Sequence, residues 1–68
     1  MLRLDRSSSA DAARELQRLE AEAQYHRDRL ALYRARVVSA RPTSPIRLRE
    51  LERTAEAADA RLKDARDR

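Results

Sequence analysis

Glycine, cysteine, tryptophan and phenylalanine are all absent from this chain of 68 residues, and proline occurs only twice. Each absence closes off a class of structure or chemistry. Without cysteine there is no disulfide framework, no thiolate nucleophile and no Cys-ligated zinc or iron–sulfur site. Nothing then points to an oxidising compartment, and a cytoplasmic location is the expectation. Without glycine there is no loop that draws backbone N–H groups around a phosphate, and the commonest helix breaker is missing. Long apolar runs are missing too. The start, Met1-Leu2-Arg3-Leu4-Asp5-Arg6, does not read as a secretory signal, and no stretch approaches the ~20 apolar residues that span a bilayer. No membrane contact is expected.

What is present is charge and helix formers. Charged residues make up 41% of the chain, with a net charge of +4, and Leu, Ile and Val together number only 12. This is at most one small domain, without room for an enzyme-sized core. Burying a large apolar side chain contributes about 1.5–3 kcal/mol, against roughly 1.5 kcal/mol of ordering entropy per residue. The 15 apolar residues other than alanine do not offset that alone. A homo-oligomer or a larger protein partner is therefore expected to complete the structure.

With 13 Ala, 15 Arg and 9 Leu, the chain reads as all-α, interrupted at two places. Ser7-Ser8-Ser9 offers an N-cap at Ser8 with Asp11 three residues on. In Arg41-Pro42-Thr43-Ser44-Pro45, Pro42 disfavours the helical conformation at Arg41, and Ser44 followed by Pro45 reads as an N-cap with proline at the first helical position. The expected organisation is an N-terminal arm over residues 1–8 and a helical hairpin over residues 9–68. In the hairpin a first helix at about 9–41 and a second at about 45–66 flank a turn at 42–44.

In the first helix Leu16, Leu19, Ala23, His26, Leu30, Tyr33, Val37 and Ala40 recur at spacings of three and four. In the second, Leu48, Leu51, Ala55, Ala58, Leu62 and Ala65 do the same. Two such heptad seams joined by a short turn predict an antiparallel coiled-coil-like hairpin. Layering outward from the turn sets Ala40 against Leu48, Val37 against Leu51, and so on to Ala23 against Ala65. On one flank this matches Arg34 with Glu52, Arg27 with Asp59 and Glu20 with Arg66. The other flank is mixed: Glu22 meets Arg68, Arg36 meets Thr54, and Arg29 meets Arg61.

This register leaves Leu16 and Leu19 without partners on the second helix, to be covered by Leu2 and Leu4 or by another molecule. Tyr25, Leu32 and Val38 lie off the seam and widen the apolar arc. Leu16, Leu19, Tyr25, Leu32 and Val38 are accordingly the expected interaction face, through which the hairpin dimerises into a bundle or docks on a partner.

No residue set supports catalysis. His26 has no second His or Cys to share a metal, the carboxylates form no convergent pair, and the serines lack a neighbouring base. A non-enzymatic protein without cofactor or metal is expected. The uneven charge is more informative: Arg27, Arg29, Arg34, Arg36, Arg41, Arg47 and Arg49 crowd the turn end, opposed between residues 27 and 49 only by Asp28. Guanidinium groups bind carboxylate and phosphate alike. The first reading is a protein–protein interaction hairpin, a regulator, adaptor or accessory chaperone that self-associates. The alternative is a hairpin dimer binding nucleic acid through these arginines. In architecture the chain resembles the small helical hairpins that dimerise into four-helix bundles, as plasmid copy-number regulators do, and the short hairpin co-chaperones of type III secretion. No motif carries either likeness, so architecture alone is implied.

Overall fold

The structure, a computed structural model, describes the backbone of residues 2–67 and the side chains of residues 9–67. Two helices run through it, α1 at Leu2–Val38 and α2 at Pro45–Asp67, packed on each other as a hairpin. Helix α2 starts where Ser44 and Pro45 direct it. Its cap forms as the sequence implies, with the Arg47 N–H donating to Ser44 Oγ at 3.3 Å. Helix α1 differs from expectation at both ends. It is already helical at Leu2, so the separate arm over residues 1–8 and the cap at Ser8 are corrected. Serine costs a helix interior only a few tenths of a kcal/mol relative to alanine, and three in a row do not stop a chain with no glycine or proline nearby. The side chains of Leu2 and Leu4, proposed above to fold back, lie outside the described residues.

At its other end α1 stops at Val38, before the expected residue 41. Pro42 excludes the helical conformation from the residue before it, and the last carbonyls must find donors within a shorter span. They do so in a Schellman arrangement. The Arg41 N–H donates to the Arg36 carbonyl at 3.0 Å and the Ala40 N–H to the Val37 carbonyl at 3.2 Å. Ala40 takes the left-handed conformation this requires, with φ of 59°. The connection is then pinned to α1 by Tyr33, whose hydroxyl accepts the Ser44 N–H at 2.6 Å.

The longer connection moves the layers by seven residues, about two helical turns. Leu19 and Ala23 of α1 cluster with Ala58 and Leu62 of α2, flanked by Leu16 and Ala65. Leu30 clusters with Leu51 and Ala55, flanked by Tyr33 and Leu48. The six seam positions from Leu16 to Tyr33 thus meet the six from Ala65 to Leu48. The expected layers that set Ala40 on Leu48 and Val37 on Leu51 are corrected: Ala40 lies beyond the helix and Val37 is 45% exposed. So is the expected overhang at Leu16 and Leu19, since Leu19 is only 7% exposed. His26, half-buried, stands on α1 between the two clusters.

The buried core of the described residues consists of four leucines and three alanines. Small side chains at Ala23, Ala55 and Ala58 let the helices approach closely. The molecule is a rod of 59 × 14 × 13 Å. Neither helix is long and apolar enough to cross a membrane.

A candidate interaction groove at the turn end

Two flanks border the seam, and charge is distributed differently along them. On the first flank every inter-helix match expected from the sequence forms. Arg34 meets Glu52 at 3.3 Å, Arg27 meets Asp59 at 3.3 Å and Glu20 meets Arg66 at 3.5 Å. These pairs neutralise that side from end to end.

The second flank is changed by the shift in register. Glu22 pairs with Arg61; Arg68, its expected partner, lies outside the described residues. Glu22 also accepts from Arg18 at 3.1 Å. The Arg18 guanidinium is raised above its ordinary value by its hydrogen bond to Glu15 and by the charges of Glu15 and Glu22. It remains a cation and helps hold Glu22 toward α2. This half of the flank is charge-paired. Toward the turn the pairing stops. Arg29, released from its expected place opposite Arg61, and Arg36 now border a groove with Arg47 of α2, lined also by Leu32, Tyr33 and Leu51. The groove continues along α2 past His26, Glu50, Arg53 and Thr54. Along α1 it continues past Ala35 and Ser39 to Arg41.

Within this groove compensation is sparse. Arg47 donates to Glu50 one turn on at 3.3 Å. Arg29 lies over the Tyr25 ring, 5.7 Å from its centroid. Arg36 makes no ion pair among the described residues. Asp28, the acid nearest in sequence, is engaged by Gln24 at 2.7 Å. Like charges facing each other across a coiled-coil flank oppose the fold, and an opening between the helices lined this way is what an anionic group would occupy.

The residues singled out from the sequence therefore separate into groups. Leu16 and Leu19 pack in the seam against α2, Leu19 buried and Leu16 half-buried. Tyr25, Leu32 and Val38 stay exposed, at 56%, 69% and 87%, but Val38 ends the helix away from the other two. Of the basic residues, Arg27 and Arg34 are spent on the neutral flank, Arg29, Arg36 and Arg47 converge on the groove, and Arg41 stands at its turn end. Arg49 is exposed and does not line it. Ile46, 68% exposed, and Arg53 were not singled out. The signal for the groove was the mixed second flank itself, where the sequence set Arg36 and Arg29 against residues that are not acidic.

No family model, curated protein or solved structure matches the chain.

Proposed function

We propose that this chain is a small non-catalytic helical hairpin that acts by protein–protein contact, binding an acidic protein surface in the groove formed by Arg29, Arg36 and Arg47. The observation that carries this reading is the convergence of three guanidinium groups, with no acid bridging the helices there among the described residues, on an exposed leucine, Leu32, while three inter-helix ion pairs form on the other flank. Guanidinium groups supply fixed, permanently charged forks for carboxylates, and Leu32 supplies apolar area beside them.

The same charge argues against a second copy as the occupant. An isologous dimer through this groove sets Arg29, Arg36 and Arg47 of one molecule against the same three of the other, and like charges across an interface are costly. With Leu16 and Leu19 covered by α2, the apolar area that called for self-association is also much reduced. The test is binding of labelled poly-glutamate at low salt. The double variant Arg29→Glu/Arg36→Glu is expected to lose it and Arg49→Glu to keep it. Equal binding by the wild type and both variants removes the groove from consideration.

A further inference from the structure

Resting on that reading, we infer that the partner segment is itself an α-helix, carrying two carboxylates seven residues apart with an apolar residue between them, and that it lies along the groove as the third helix of a bundle. The spacing comes from α1. Arg29 and Arg36 are seven residues apart on one helix, which separates them by about 10.5 Å along its axis and returns them to nearly the same face. Leu32, three residues after the first and four before the second, sits between them and is 69% exposed. A helix packed near-parallel to α1 repeats the same rise. Its carboxylates at positions i and i+7 then meet Arg29 and Arg36, while a leucine-like residue at i+3 or i+4 meets Leu32. Arg47, projecting from α2 into the same opening, limits the approach from the far side and adds a third donor for the acidic edge.

The apolar part of the groove lining selects against nucleic acid. A phosphodiester backbone satisfies the arginines but offers no apolar surface to Leu32. The flat ring that a base would stack on is engaged as well, since Arg29 lies over Tyr25 and the edge contact with His26, at 5.3 Å between centroids, occupies another side. Tyr33, the other aromatic residue, is half-buried and tied to Ser44. Single-stranded nucleic acid binding rests on free aromatic platforms beside positive charge, and neither tyrosine is free in this sense.

The experiment is fluorescence anisotropy with four labelled probes. The first is a capped peptide of about 18 residues, long enough to populate a helix, built on alanine and glutamine with two Glu seven apart and one Leu between them on the same face. The second has the same composition with the two Glu five apart, which places them on different faces. The third is poly-glutamate and the fourth a mixed-sequence single-stranded RNA. The first peptide is expected to bind at least about tenfold more tightly than the second and to gain helicity in the complex. Arg29→Glu/Arg36→Glu is expected to lose about tenfold or more of that affinity, with Arg49→Glu unchanged and both variants as helical as the wild type. Exchanging Glu for Lys in the first peptide should restore binding to the double variant. Equal binding of the two peptides overturns the helical partner, while poly-glutamate bound through the same arginines leaves the acidic-surface reading standing. RNA bound through those arginines without poly-glutamate overturns both, and so does failure of every probe to bind.

Discussion

Single residues at the turn decide where the two helices meet. Ala40 occupies the left-handed position of the α1 C-cap, with φ of 59°, a conformation that costs a residue with a Cβ about 1 kcal/mol more than glycine. The chain has no glycine to place there, and the strain persists because Pro42 forbids the alternative of carrying the helix onward. Ala40→Gly is therefore expected to stabilise the hairpin by about 0.5–1 kcal/mol, read as a rise in the urea midpoint at unchanged slope. A loss of stability would mean that α1 does not end in this motif. Ser44 was legible from the sequence as a cap, because serine before proline has few other uses at a helix start. The role of Tyr33 was not, because its hydroxyl reaches a backbone group 11 residues away and no local pattern encodes that contact.

At the scale of the helices, the period of three and four identified nearly every residue that packs. All six seam positions of α2 are buried or half-buried, as are six of the eight assigned to α1. The periodicity fixes a face but not the offset between two faces, and the offset depended on where the turn began. A helix end misplaced by three residues, 41 against Val38, moved the layers by one heptad, about two turns, because the seam repeats only at that interval. The first flank survived because its pairs stand at heights between the expected layers and those that form, within reach of long arginine and glutamate side chains in either register. Leu30→Asp is expected to unfold the hairpin, since it buries a carboxylate beside Leu51 and Ala55 without a partner. Arg49→Asp, on an exposed position of α2, is expected to stay within about 0.5 kcal/mol of the wild type. Circular dichroism distinguishes the two, and equal effects would refute the seam. The second flank gives a prediction of opposite sign. Arg36→Glu replaces a like charge facing Arg47 by an opposite one, so thermal stability should rise, by at most about 0.5 kcal/mol for so exposed a pair, while binding to the acidic helical peptide falls. Stability gained with binding lost is the mark of a site kept at some cost to the fold.

For the whole molecule, shape and charge lead to the same conclusion about its state in solution. A compact domain of this length has a radius of gyration of about 11 Å, whereas the described residues give 16.7 Å. The rod exposes most of its side chains and holds together through two small clusters and four inter-helix ion pairs. Each such exposed pair contributes only ~0–1 kcal/mol, enough to favour one orientation but not to add much stability. Composition alone suggested that a second chain was needed, and the core that forms among the described residues is thin. On the reading proposed here the second chain is an acidic one, because the groove at the turn end is lined with arginines that a copy of the same molecule would repel. Without its partner the protein is expected to be a marginally stable monomer. Small-angle scattering should give a radius of gyration near 17 Å, and sedimentation over the range of about 10–300 μM should give one chain mass, 7.9 kDa, with a melting temperature independent of protein concentration. Adding the acidic helical peptide should raise that temperature in proportion to the logarithm of its excess over the dissociation constant. The length of the rod should stay the same and its cross-section widen, as a third helix lies alongside the other two. A dimer in the absence of peptide, with a melting temperature that climbs with protein concentration, would show that the arginine flank does not keep copies apart, and would return the exposed Leu32 and Tyr25 to a self-association surface.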